Sequence, residues 1–289
     1  MNHKAVKFSN DMNTDIYGIL KRRVKEYFDV RNIPRHGNSV MVWKTIFMIS
    51  LYVAPYILMF IPISIGISNT LIIFGLWIVM GFGMAGIGLS VMHDANHRAY
   101  SGKAKVNKYL GYLMNVIGGS AVNWKIQHNV LHHSFTNIHG LDEDLGLGKL
   151  LRFSPNQKRY KVHRLQHFYA WFFYCLLTLS RVTWKDVHQL FRYKRKGLIK
   201  VHNKTFKGLF VELITSKMLY GFYFIVIPMM FLGIPWWQIL LFFLSMHFVA
   251  GIILGCVFQC AHVMPASEYP VPDGNGNLEN DWALHQLFT

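Results

Sequence analysis

The sequence predicts an all-α membrane protein in which four transmembrane helices form two hairpins and a cytoplasmic helical cap carries clustered histidines. Three observations lead there. Of 289 residues, 52% are hydrophobic and only 15% charged, with a mean hydropathy of +0.24, which is too apolar for a soluble domain. The runs Thr45 to Ile67 and Leu71 to Met92 hold no ionisable residue except tyrosine, and each exceeds the ~20 residues that an α-helix needs to cross hydrocarbon. Lysine and arginine are partitioned as well, with 9 in residues 1–44, 20 in 93–208, and Lys217 alone inside a span. Such an excess beside the spans marks the cytoplasmic side.

Each element follows from its own pattern. Ile16, Leu20, Val24, Tyr27 and Phe28 recur at helical spacing among Lys21, Arg22, Arg23 and Lys25. That reads as a helix lying in the cytoplasmic interface or packed on the protein. Asn32 to Asn38, with Pro34 and Gly37, ends it. The first two spans then face each other across a link at Ser68 to Thr70, and the second is rich in glycine at Gly75, Gly81, Gly83, Gly86 and Gly88, which suits close helix packing. In the middle segment, Tyr109 to Val122 and Phe168 to Ser180 are too short to span and suit interfacial helices. Leu209 to Leu232, interrupted by Glu212 and Lys217, and Trp236 to Val257 form the second hairpin across Gly233 to Pro235. The expected organisation is a single domain over 1–289: an amphipathic segment (1–44), a hairpin (45–92), the cap (93–208), a second hairpin (209–262) and a cytoplasmic tail (263–289).

Composition excludes several functions. The net charge of +16 would suggest nucleic acid in a soluble protein, but its placement beside the spans points to anionic lipid headgroups instead, including for the run Arg192 to Lys196. Cys175, Cys256 and Cys260 form no CxxC motif and read as small packing residues. The first 40 residues lack the apolar core of a cleavable signal, so the first span is the expected insertion signal.

The chemistry is carried by histidines. His93 and His97, in HDANH, stand four apart where the second apolar run stops, so they share a helical face. His128, His132 and His133 fall within QHNVLHHSFTN; in an α-helix His128 and His132 share a face while His133 projects about 100° away, an arrangement that suits two metal ions. His262 closes FQCAH after the fourth span and returns to the same side. Neutral imidazoles suit iron, copper, zinc or nickel better than magnesium or calcium. HDANH offers no general-base glutamate of the HExxH kind, so zinc hydrolysis is disfavoured. Asp94, Asn129, Asp142 and Asp144 are candidates to orient ligand imidazoles, with local turn or salt-bridge roles the alternative for Asp142 and Asp144. Trp124, just before the second cluster, is a candidate to line a tunnel to the site, or an ordinary interfacial tryptophan. His247 reads as an interhelical hydrogen-bonding residue, His139, His163, His167, His188 and His202 as interfacial or solvated, and Glu212 and Lys217 as an intrahelical or snorkelling arrangement.

At these residues the chain resembles the membrane fatty acid desaturase family. HDANH and HNVLHH match its H-x3-H and H-x3-HH boxes, TNIHGLDEDL its following D-x-D, and the order span, span, two boxes, span, span extends the likeness to FQCAH and WALHQ. It looks closest to bacterial acyl-lipid or acyl-CoA desaturases related to front-end desaturases. The resemblance implies a non-haem di-iron centre, O2 as co-substrate, a cis double bond placed in a fatty acyl lipid or acyl-CoA, and electrons from a separate donor such as ferredoxin or cytochrome b5. It carries ligand roles onto His93, His97, His128, His132, His133 and His262. Other expectations are a related membrane oxygenase, such as an acyl hydroxylase or carotenoid ketolase, or a truncated non-catalytic relative. The last arises because the family's third box, (H/Q)-x2-HH, is not met by Thr289, and His285 stands alone.

Overall fold

The computed structural model describes residues 6–9, 15–61, 69–146, 148–199 and 204–289. Its helices are α1 (Ile16–Arg31), α2 (Ser39–Leu58), α3 (Thr70–Asn96), α4 (Ala104–Gly111), α5 (Leu113–Val116), α6 (Ala121–Lys125), α7 (Gln166–Cys175), α8 (Leu177–Ser180), α9 (Asp186–Arg195), α10 (Phe206–Phe231), α11 (Trp236–His262) and α12 (Trp282–Phe288). No strand occurs among the described residues; Lys7 and Asn277 form an isolated parallel bridge. The chain divides into a unit of residues 36–124 and 169–258 and a unit of residues 1–35, 125–168 and 259–289.

The first unit holds almost all of the four helices that are long and apolar enough to cross a membrane: α2, α3, α10 and α11. Their starts are set by side chains that satisfy the otherwise orphaned amides of the first turn. Asn38 accepts from Met41 N, Asn69 from Leu71 N and Ile72 N, and Thr205 from Gly208 N. The Asn38 cap starts α2 six residues before the apolar run, so Lys44 lies inside the helix. Residues 62–68, with the end of the first apolar run and Ser68 of the expected link, lie outside the described residues, as does His202.

Helices in lipid gain little from excluding water from one another and depend on close packing. The core of this unit gathers Tyr52, Trp77, Met80, Met84, Tyr220, Phe224 and Met246 around α3. A Cβ on Gly83 would lie 2.5 Å from the Tyr52 backbone nitrogen of α2, so only glycine permits that approach. Gly251 of α11 meets the Tyr174 and Cys175 carbonyl oxygens of α7 in the same way.

Several buried polar groups in this unit are paired across helices. His247 Nε2 lies 3.0 Å from the Tyr220 hydroxyl and its Nδ1 3.0 Å from Thr178 Oγ1, the interhelical role that the sequence suggests. Lys217 differs from expectation. It neither snorkels nor pairs within its helix: its Nζ donates to the carbonyls of Arg181 (2.7 Å) and Gly118 (3.3 Å) and pairs with Asp186 Oδ2 at 3.3 Å. Asp186 also takes Arg181, and its backbone oxygen accepts from Asn123 Nδ2 at 2.6 Å. The reason is desolvation: a buried carboxylate needs cations, and Lys217 and Arg181 are the ones within reach. Glu212 pairs with Lys204 at 2.8 Å.

Two local readings need correction. Tyr109 to Val122 is not one helix but the end of α4, α5, a turn and the start of α6, because Gly118 adopts φ +88° and breaks the run. Cys175 and Cys256 are half-buried as packing residues should be, but Cys260 is exposed.

Replacing Gly83 with Leu should destabilise the bundle by about 2 kcal/mol or more through overpacking, whereas Gly75→Ala, where an added Cβ meets nothing within 4 Å, should leave thermal stability in detergent unchanged. Lys217→Ala strips one cation from buried Asp186 and should cost about 3 kcal/mol in the same assay.

Candidate metal centre

The six histidines divide between the units, with His93 and His97 in the first and His128, His132, His133 and His262 in the second. In the first, α3 continues past its apolar core through a π-helical turn, Ile87–Val91, and ends at Asn96, which places His93 in its last turn and His97 at its cap. The two rings lie 4.5 Å apart, as an i, i+4 pair should. His93 Nδ1 is 3.1 Å from Asp94 Oδ1, so Asp94 holds that nitrogen and leaves Nε2 as the donor side. Trp124, 8% exposed, meets both rings edge-on with centroids at 5.7 Å. It forms one wall of this histidine pair.

In the second unit, the stretch Ile126–His132 is π-helical, with His133 N bonded to His128 O at 2.9 Å. This changes which histidines meet. An α-turn would align His128 with His132 and send His133 elsewhere; the i→i+5 turn instead brings His133 back over His128, and their Nε2 atoms stand 3.2 Å apart. That spacing is a hydrogen bond between one protonated and one bare nitrogen. It is equally the spacing of neighbouring ligands on one ion, since with imidazole–metal bonds of ~2.1 Å two ligands at right angles stand about 3 Å apart. His132 turns to His262, the last residue of α11, with ring centroids 4.5 Å apart at 89°.

The carboxylates lie on the opposite side of these rings. His132 Nδ1 is 3.0 Å from Asp142 Oδ2 and 3.7 Å from Asp144 Oδ2, and His128 Nδ1 is 3.6 Å from Asp144 Oδ2. Asp142 is fully buried and is itself fixed by the backbone amides of Asn137 (3.0 Å) and Asp144 (2.9 Å), while Gln127 donates to Asp144. His128, His132 and Asp144 lie close enough to hold a metal between them. Asp144, however, approaches the Nδ1 edges, away from where the Nε2 atoms of His128 and His133 converge, so its geometry is that of an orienting group. Burial lowers the His132 pKa, but the hydrogen bond that it donates to Asp142 and the charges of Asp144 and Asp142 outweigh it and leave the pKa raised. The pair's contribution to stability is therefore full below the unfolded pKa of His132 and is lost as pH rises through the folded value.

Sequence reasoning did not anticipate Asn137, Phe8 or the π turns. Asn137 sits at φ +59°, a left-handed conformation that asparagine tolerates, and its Nδ2 donates to the Glu268 and Thr289 carbonyls. This ties the loop after the second histidine cluster to α12. His285 of α12 is buried with its ring 5.1 Å from Phe8, which in turn stacks on Phe135. Burial lowers the His285 pKa against a hydrogen bond to the Thr136 backbone. His163 bonds Tyr160 N and the Lys149 carbonyl oxygen and is half-buried, and His188 bonds the Trp184 carbonyl oxygen and is exposed.

Clustered imidazoles with carboxylates at their Nδ1 edges form a candidate metal site in a chain with four helices long and apolar enough to cross a membrane. The fatty acid desaturase family model matches residues 68–289, and the chain belongs to that family. It is 30% identical over 287 residues to an acyl-lipid (8-3)-desaturase of Physcomitrium patens, with 99% of this chain and 58% of the relative aligned. It is 29% identical over 275 residues to an sn-1 linoleoyl-lipid 6-desaturase of Synechocystis, covering 94% and 74%. It is 31% identical over 286 residues to an acyl-lipid (8-3)-desaturase of Mortierella alpina, covering 96% and 61%. The chain thus spans about three-fifths of the moss and fungal relatives. No solved structure matches it.

Asp142→Asn, which keeps the shape and removes the charge, should weaken metal binding by ~10–100-fold in a titration with ferrous or cobaltous ion. In metal-free protein it should also move the NMR titration of His132 to lower pH.

Proposed function

We propose that this chain is an O2-dependent fatty acid desaturase that places a cis double bond in a membrane acyl lipid. The observation that carries the reading is the convergence of the His128 and His133 Nε2 atoms at 3.2 Å, with His132 beside His262 and both Nδ1 edges of His128 and His132 turned to aspartates. Family membership supports it, and so do the acyl-lipid desaturases to which the chain is similar.

In this reading His93, His97, His128, His132, His133 and His262 hold two non-haem iron ions as neutral nitrogen donors. When bound, the irons supply the O2 activation that removes two hydrogens from an unactivated acyl chain. The protein's part is positional. Asp94, Asp142 and Asp144 hold the Nδ1 edges, so that each ring offers its other nitrogen without tumbling. Trp124 fixes the His93 and His97 rings and keeps water from that side. The histidines face the cytoplasm, on a cap between two transmembrane hairpins with the boundaries given above, where the charge distribution puts the basic segments. There an external electron carrier such as ferredoxin or cytochrome b5 reaches the site, and the acyl chain enters from the bilayer.

Expressed in a host that lacks the product, the protein should yield lipids two mass units lighter with one added double bond by gas chromatography and mass spectrometry. A gain of oxygen would instead identify a hydroxylase or ketolase. His132→Ala or His133→Ala should abolish the product, and retained desaturation in either variant would overturn the ligand assignment. About two irons per chain are expected in the purified protein.

A further inference from the structure

The helix α1 buries none of its residues among the described parts of the chain, although it is well formed. Asp15 caps its start by accepting from Gly18 N at 2.9 Å, and Asn32 ends it in the left-handed conformation at φ +48°. A 16-residue helix draws most of its stability from covering an apolar face. Here that face is open: Leu20, Val24 and Tyr27 are 50%, 47% and 48% exposed, and Ile19 and Val30 extend the face along its edge. Tyr17 meets the ring of Trp282 edge-on at 5.8 Å, and Tyr27 meets Phe28 of the same helix at 5.4 Å. Among the described residues, nothing buries the rest of that face.

Charge and tethering say what the cover is. Lys21, Arg22 and Lys25 line the opposite face, and Arg31 folds over Tyr27, its guanidinium 4.2 Å above the ring and its Nη1 donating to the hydroxyl at 2.7 Å. Asp29 is engaged by Arg35 at 3.0 Å, which leaves the helix surface strongly cationic. A second copy would bring like charges together. Only the seven residues Asn32 to Asn38 separate α1 from α2, so the helix is tethered to the bilayer. We infer that α1 lies in the membrane interface, with Leu20, Val24 and Tyr27 among the acyl chains and Lys21, Arg22, Lys25 and Arg31 on the phosphates of acidic phospholipids. This inference does not depend on the metal centre or on the reaction.

The test is spin-label accessibility on the full chain, with Cys175, Cys256 and Cys260 replaced by Ala and one label at Val24→Cys or Glu26→Cys. The protein is placed in bilayers of phosphatidylcholine alone or mixed with phosphatidylglycerol. In the acidic bilayer the label at Val24 should become several-fold less accessible to an aqueous nickel chelate and more accessible to O2, while the label at Glu26 stays in water. Adding Lys21→Glu, Arg22→Glu and Lys25→Glu should return Val24 to water. Three results would overturn the inference: a Val24 label in water in both bilayers, one immersed equally in both, which removes the acidic headgroups from the account, or one shielded from chelate and O2 alike, which means that a protein covers the face.

Discussion

An imidazole serves as a fixed metal ligand when one nitrogen is held and the other is left bare, and in this chain the holding falls to aspartates. Asp142 is the centre of that constraint. It is buried, it meets His132 Nδ1 at 3.0 Å, and it is kept in place by the amides of Asn137 and Asp144. A buried carboxylate is costly unless its lone pairs are taken up. Here they are taken up by the histidine that it orients and by the loop that follows it. The same loop, through Asn137, grips the carbonyls of Glu268 and Thr289, so the C-terminal segment depends on the arrangement as well.

The second constraint is helical pitch. Both histidine clusters follow π-helical turns, Ile87–Val91 before His93 and Ile126–His132 through the second cluster. A π turn costs some hydrogen-bond quality and packing, and it persists where its changed register is useful. At the second cluster its effect is to pair His133 with His128 and to leave His132 for His262. Adjacent histidines therefore have different nearest partners, while His132 also stacks on His128 with ring centroids 5.3 Å apart.

The membrane unit solves a different problem, since lipid does not push helices together. Backbones approach at Gly83 and Gly251, and polar side chains reach across at His247 with Tyr220 and Thr178. Lys217 and Asp186 add a buried ion pair that joins α10 to the start of α9, and Asn123, the residue before Trp124, donates to the backbone oxygen of the same aspartate. Packing in the bundle and the wall beside the first histidine pair thus share one network.

The sequence by itself determined the helical, membrane-inserted class and the identity of the histidines, because apolar run length and residue spacing are local properties that solvent and lipid read directly. It also marked α1 as amphipathic and His247 as an interhelical residue. It could not decide the path of Lys217, whose partner Asp186 is 31 residues away and was chosen by burial. Nor could it separate orienting aspartates from surface ones, since Asp142 and Asp144 differ in depth and direction rather than in pattern. The pairing of His133 with His128 was likewise a tertiary decision. Six residues with ordinary helical spacing carry no mark of an i→i+5 turn, which forms only where packing and hydrogen bonding around the cluster favour it.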